Sequence, residues 1–186
     1  MTNALTDHAL PSALAGRGQV IETKGKLVDF RRLREVVAAD LAALAPGVRP
    51  KEWRHAPIDI RLAFGWADAR RQIPALEGRI SARIDAVCQR CLEPFELSLD
   101  AQLKLMLLIP GGDATALEEY EIWETAKETV RPLDIVDEAL IMAMPLSVAH
   151  EDTGDCGPLV KKLAAKESGR NRPFADLKSR MRDSHR

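Results

Sequence analysis

Two long runs of alternating apolar and polar residues meet at a pair of cysteines, and this pattern constrains the fold more than any other feature. Apolar residues recur at even positions between Leu76 and Cys88, and at odd positions between Phe95 and Leu107. A period of two is what a β-strand with one buried face and one wet face requires. The two runs are joined by a short segment that contains proline, so we predict an antiparallel hairpin with Cys88 and Cys91 at its tip.

We expect further strands beside this hairpin, because long strand edges are rarely left unpaired. The alternation recurs at Ile58–Trp66, and shorter strands are predicted at Val20–Lys26 and Glu119–Trp123. Together with two helices, these segments predict the α+β class. The expected fold is an antiparallel sheet built around the cysteine-tipped hairpin, with two or more helices packed on it and flexible termini.

Apolar residues at helical spacing predict the two helices. In the first, Asp29 is the expected N-cap, Val28 packs onto Leu33 across it, and the pair Pro46-Gly47 ends the helix. The second begins at Pro132, since proline suits the first position of a helix. Its apolar face comprises Leu133, Val136, Leu140, Ala143 and Met144, and its other face carries Asp134, Asp137 and Glu138.

The length of 186 residues, with 46% apolar and 30% charged residues, suits one soluble domain. We predict this domain at residues 19–160, between a flexible N-terminal segment, residues 1–18, and a basic, largely extended or disordered tail, residues 161–186. No apolar run approaches the roughly 20 residues of a membrane-spanning helix. Residues 1–19 also lack the apolar region of a secretory signal. We therefore expect a cytoplasmic protein without a membrane partner.

Charge is unevenly distributed along the chain. Residues 1–91 carry 15 Lys and Arg against 10 Asp and Glu, residues 92–155 carry 3 against 15, and residues 156–186 carry 9 against 3. Such asymmetry indicates an electropositive partner for the acidic segment and nucleic acid for a basic one. A solvated surface is the alternative interpretation of each.

The cysteines and one histidine have the composition of a zinc site. Zinc takes four ligands, usually thiolates and imidazoles in close-spaced pairs. Cys88 and Cys91 supply one pair, and His150 and Cys156 supply the second, which gives a Cys3His set. We predict one structural zinc ion there, with merely buried thiols as the alternative. A redox pair is disfavoured, because the residues after Cys91 alternate as a strand and provide no helix N-terminus to activate a thiolate.

The sequence gives no indication of catalysis. Gly111 and Gly112 lack the spacing of a phosphate-binding loop, and no serine stands in a nucleophile-elbow pattern. The acids of residues 93–138 show no pairing beyond that of a solvated face. We expect no catalytic residues, no small-molecule substrate and no enzyme activity.

The segment Cys88-Gln89-Arg90-Cys91-Leu92-Glu93-Pro94-Phe95 resembles the YceD family of bacterial proteins, which is linked to the accumulation of 23S ribosomal RNA. Residues 132–150 resemble the family's acidic helix and the Pro-x-x-x-x-His segment that follows it. Cys156 lies where members of the proteobacterial branch carry a cysteine, and residues 171–177 resemble their basic C-terminal ending. The resemblance spans residues 17–180.

The resemblance implies a non-enzymatic ribosome-biogenesis factor that promotes the synthesis, processing or stability of 23S rRNA, with rRNA or a pre-ribosomal particle as its partner. Charge suggests which residues contact RNA. These are the cations of the tail: Lys161, Lys162, Lys166, Arg170, Arg172, Lys178, Arg180 and Arg182. The alternative is a protein-binding adaptor that holds a basic large-subunit ribosomal protein through the acidic segment 92–155.

Overall fold

The computed structural model describes residues 4–109, 119–125, 127–158 and 160–162, and a five-stranded sheet lies at its centre. The strands are β1 (Val20–Lys26), β2 (Pro57–Trp66), β3 (Pro74–Val87), β4 (Pro94–Leu108) and β5 (Glu121–Glu124), in that spatial order. Strands β1 to β4 pair antiparallel, whereas β5 pairs parallel with β4. The predicted α+β class with a mainly antiparallel sheet is confirmed.

The register of β3 and β4 follows from the alternation in their sequences. Leu76 lies opposite Leu105 and Ile80 opposite Ala101, and all four side chains are buried. The intervening residues lie on the other face of the sheet, where exposed charged side chains form ion pairs. A slip of one residue would exchange the two faces and bury those charges, so the pattern fixes the pairing. Residues 88–93 connect the two strands.

Three α-helices of the described residues pack with the sheet: α1 (Pro11–Gly16), α2 (Arg31–Ala42) and α3 (Pro132–Met142). Helix α1 contacts β2 and β3, α2 contacts β3, and α3 contacts both β4 and α2. The helices contribute the buried side chains of Leu14, Leu33, Val37, Leu41, Ile135, Val136 and Leu140 to one core with the strands. None of the helices in the described part of the chain is long and apolar enough to cross a membrane.

One acid of α3 has a different role from its neighbours. Asp137 is only 7% exposed, and its two carboxylate oxygens accept hydrogen bonds from the backbone amides of Arg32 and Leu33, each 2.9 Å long. These amides lie in the first turn of α2 and have no partner within that helix. Beside this cap, the half-buried side chain of Glu138 forms an ion pair with Arg32. Asp137 therefore joins the two helices.

The predicted start of α2 is wrong. Asp29 does not cap the helix, because its carboxylate accepts from the backbone amide of Lys26 at 2.9 Å and closes the short 3-10 turn Leu27–Asp29. Phe30 is the N-cap residue and provides no side-chain hydrogen bond. Val28 is exposed and so does not act as a buried staple.

Residues 4–18 differ from the flexible segment that we predicted. Leu5 and Leu14 are buried in the core, and Ala9 exchanges two backbone hydrogen bonds with Val130, of 3.0 and 2.8 Å. The apolar residues of this segment are too irregularly spaced for periodicity to indicate the packing. At the other end, residues 163–186 of the predicted tail lie outside the described residues.

Candidate metal centre

Four potential metal ligands converge where the β3–β4 connection meets the loop after α3. The sulfurs of Cys88, Cys91 and Cys156 and a ring nitrogen of His150 all lie within 4.8 Å of one another. The sulfurs of Cys91 and Cys156 are each 3.7 Å from Nδ1 of His150. Ligand atoms bound tetrahedrally to one zinc ion stand about 3.3–3.8 Å apart. The cluster can therefore hold a metal ion.

The connection between the strands presents two of these ligands. The amide of Cys88 donates to the carbonyl of Glu93 at 3.0 Å, and the amide of Leu92 donates back to the carbonyl of Cys88 at 2.8 Å. Leu92 completes the turn with a φ of 62°, in the left-handed region that few residues other than glycine adopt. This compact turn, which we call the tip loop (residues 88–93), places Cys88 and Cys91 in the same cluster.

The segment after α3 is fastened to the tip loop by backbone and side-chain contacts. The amide of Gln89 donates to the carbonyl of Val148 at 2.8 Å, and the hydroxyl of Ser147 donates to the side-chain oxygen of Gln89 at 3.0 Å. The guanidinium of Arg90 donates to the backbone carbonyl of His150. These bonds position His150 against the two cysteines of the tip loop.

An aromatic ring and a tight turn also position residues of the cluster. The ring of His150 packs on Phe95 at the start of β4, with ring centroids 4.5 Å apart. The carboxylate of Asp152 accepts from the amide of Gly154 at 2.7 Å and begins a 3-10 turn, Thr153–Asp155, that delivers Cys156. Both contacts restrict the ligands before any ion binds.

Gly157 brings this turn close to the tip loop. A β-carbon at position 157 would collide with the carboxylate of Glu93. Glycine at this position leaves room for that carboxylate, and a larger residue would require the end of the Glu93 side chain to turn away.

The environment of the sulfurs favours binding of a cation. All three sulfur-bearing residues are buried, with exposures of 0% for Cys88 and 1% for Cys91 and Cys156. Burial raises the pKa of Cys88, but the backbone amides of Cys91, His150 and Arg90 donate to its sulfur and bring the pKa down to about 5. Burial and the neighbouring Cys88 raise the pKa of Cys156 to about 11. These amides thus favour the thiolate form of Cys88, the form that ligates metals.

The structure brings together the four residues predicted as ligands, although Cys91 and His150 are 59 positions apart in the chain. Of the cations predicted to contact RNA, Lys161 and Lys162 are described and exposed. The other six, Lys166, Arg170, Arg172, Lys178, Arg180 and Arg182, lie outside the described residues. Sequence reasoning missed Gln89, Ser147 and Gly157, because their contribution comes from contacts between distant loops and not from ligand chemistry.

These features define an α+β protein with a Cys3His cluster, its three cysteines buried, that could hold a metal ion. The sequence from residue 76 to residue 179, which includes all four cluster residues, matches the family model described as Large ribosomal RNA subunit accumulation protein YceD. The match covers more than half of the chain, and the chain belongs to this family. Comparisons with curated proteins and with solved structures give no significant match.

Proposed function

We propose that this chain is a non-enzymatic factor that promotes the accumulation of 23S ribosomal RNA in the bacterial cytoplasm. The observation that carries the proposal is the family match over residues 76–179, which extends from β3 through the Cys3His cluster into the basic tail. The family description connects such chains with the RNA of the large ribosomal subunit. The same match makes rRNA or a pre-ribosomal particle the expected partner.

The Cys3His cluster is proposed to bind one structural zinc ion. Four protein ligands fill a tetrahedral site completely, as in structural zinc centres, whereas catalytic centres keep a position open for water or substrate. Cys88, Cys91, His150 and Cys156 supply those four ligands from two loops. Zinc would supply a crosslink between the tip loop and the segment after α3. This role agrees with a protein that has no enzymatic activity.

The basic tail is proposed to contact the RNA backbone. Lys161 and Lys162 are exposed and follow closely after Cys156, so the tail begins at the metal centre. Each phosphate neutralised on a single strand lowers log K by about 0.7 per decade of salt concentration. Truncation after Lys162 should therefore weaken binding to transcribed 23S rRNA segments and flatten the salt dependence. The truncation is placed there because Val160 packs against the cysteine cluster.

The function is tested in cells that lack the gene, complemented with the full chain or with the truncated chain. The ratio of 23S to 16S rRNA is measured by electrophoresis of total RNA. We expect the ratio to fall without the gene and to recover fully only with the full chain. An unchanged ratio in cells without the gene would refute the function. Full recovery with the truncated chain would show that the tail has no part in it.

A second candidate function is that of an adaptor for a basic large-subunit protein. It is supported by the acidic segment 92–155, with 15 acids against 3 cations. Complementary charge of this kind accelerates association and sets specificity. Co-purification of basic large-subunit proteins that survives nuclease treatment would support the adaptor, whereas loss of all partners with nuclease would count against it.

A further inference from the structure

Large apolar side chains are exposed on the tip loop, at the end of α3 and on the segment after α3. Among the residues that the structure describes, the three most exposed large apolar side chains are Leu146 at 105%, Met142 at 76% and Leu92 at 65%. Leu92 follows Cys91 in the tip loop, and Met142 is the last residue of α3, four positions before Leu146 in the chain. We call these three residues the tip surface.

Hydrogen bonds join the tip loop to the segment after α3 that carries Leu146. Ser147, the neighbour of Leu146, bonds to Gln89 of the tip loop, and the amide of Gln89 bonds to Val148. Leu146 therefore lies beside the loop that carries Leu92. Clustered exposure of large apolar side chains marks interaction sites more often than isolated exposure does.

Leu92 is costly to the free protein in two ways. Its φ of 62° is a left-handed conformation that costs an ordinary residue energy that glycine or asparagine largely avoids. Its side chain is also left in water, so that it gains nothing from burial. A partner that covers Leu92 would offset both costs.

The charges around the tip surface indicate which chemistry the partner has. Segments 88–96 and 142–158 contain five acids, Glu93, Glu96, Glu151, Asp152 and Asp155, and a single Lys or Arg, Arg90. Arg90 donates to the neutral carbonyl of His150 and keeps its charge, and the exposed Lys161 and Lys162 follow the second segment, so the acids exceed the cations here by five to three. A polyanion such as RNA would meet these carboxylates with repulsion, whereas a cationic segment would be attracted.

A like-charged pair at the end of the hairpin adds to this negative potential. Asp85 and Glu96 lie directly opposite each other on β3 and β4, two positions before the strands end at the tip loop. Opposed like charges destabilise a sheet. Arg83 approaches Glu96 only to 3.9 Å. Cations supplied by a partner would relieve the repulsion.

We propose that the tip surface binds a protein segment that combines cationic and apolar side chains. Leu92, Met142 and Leu146 contact the apolar side chains of that segment, and the surrounding carboxylates pair with its cations. The inference rests on the proposed function for the source of the segment, which is then a protein of the large ribosomal subunit. Zinc would hold the two halves of the tip surface together.

The test uses a double variant that removes the apolar contacts and keeps the fold. The first substitution is Leu92→Asn, because asparagine tolerates the left-handed backbone conformation of this position. The second is Leu146→Ser, at a side chain that is fully exposed. The control is Val48→Ser, which alters an exposed apolar residue in the connection between α2 and β2. Unchanged zinc content and thermal midpoint establish that the full-length variants are folded.

The probe is the protein extracted free of RNA from purified large ribosomal subunits, and its binding to each full-length variant is titrated. We expect the double variant to lose affinity about tenfold or more, as at interface anchors, while the control binds like the original chain. Equal affinity of the double variant and the original chain overturns the proposal. The proposal is also overturned if the double variant loses affinity for a 23S rRNA transcript but keeps its affinity for the protein probe.

A third titration uses the chain truncated after Lys162. If the truncation raises the affinity for the protein probe and the double substitution no longer affects it, the surface is occupied by the chain's own tail and the proposal is overturned. Complementation with the double variant separates this inference from the proposed function. Loss of probe binding with normal 23S rRNA levels would leave the docking surface standing and remove its connection with rRNA accumulation.

Discussion

Replacement of Asp137 tests whether one buried carboxylate joins the two long helices. In Asp137→Ala, the backbone amides of Arg32 and Leu33 lose the carboxylate that accepts their hydrogen bonds. The bond from the amide of Leu33 is buried. Water cannot replace the carboxylate there without opening the contact between α2 and α3. A destabilised but still folded protein is the expected result.

The magnitude follows from the two hydrogen bonds of 2.9 Å. A hydrogen bond to a charged group contributes about 1.5–3 kcal/mol, and loss of an N-cap side chain costs about 0.5–2 kcal/mol. The two bonds share one carboxylate, so their contributions are not additive, and we expect a loss of about 2–4 kcal/mol. For a chain of this length the thermal midpoint should fall by about 5–15 °C.

The assay is urea unfolding followed by circular dichroism, together with thermal unfolding by calorimetry. Asp134→Ala on the same helix is the matched control, because Asp134 is exposed and its ion pair with Arg131 lies at the surface. Exposed ion pairs are worth about 0–1 kcal/mol. If Asp137→Ala costs no more than Asp134→Ala at equal m-values, the cap does not stabilise the helix pair and the reasoning is refuted.

The remaining predictions concern the hairpin and the metal centre. Elemental analysis should find about one zinc per chain, and Cys88→Ser should remove it; metal-free protein after reducing, chelator-free purification would exclude the site. Gly157→Ala should change zinc affinity in a chelator competition only a little, because the end of the Glu93 side chain can turn away from the added methyl group; a large loss that Glu93→Ala restores would show instead that the carboxylate is held in place. Burial and the charge of Glu96 raise the pKa of Asp85 in the folded protein, so stability is lost as the pH rises from the ordinary pKa of an aspartate through this raised value. Asp85→Asn should therefore raise the thermal midpoint at pH 7, and its advantage should vanish at about pH 3, where the carboxyl is protonated in both states.

The sequence predicted those elements that local periodicity determines. The boundaries of β1 at Val20–Lys26 agree with the expectation, and Pro132 begins α3 as its fixed φ suggests. In β3 and β4, alternation specifies which face is buried, and burial in turn fixes the register. These features depend on neighbours in the chain, and a single sequence contains that information.

Contacts between distant residues could not be obtained in the same way. Asp137 looks like any other acid on the polar side of α3, and its partners are about a hundred positions earlier in the chain. The burial of Leu5 and Leu14 likewise depends on where the sheet and α3 lie. At the Cys3His cluster, ligand chemistry predicted the four residues that come together, but the bonds of Gln89 to Ser147 and Val148 depend on how two loops meet.

The separation of the buried residues into two clusters indicates what the metal centre contributes. The main core joins the helices and the sheet, whereas Cys88, Cys91 and Cys156 form a second cluster with Phe95, Ala149 and Val160 around it. The main core does not need a metal ion to bury its side chains. An ion at the second cluster would instead crosslink the tip loop to the segment after α3, and these are the segments that carry Leu92 and Leu146. The main consequence of metal binding would therefore be the arrangement of the proposed tip surface, and its effect on the stability of the sheet would be secondary.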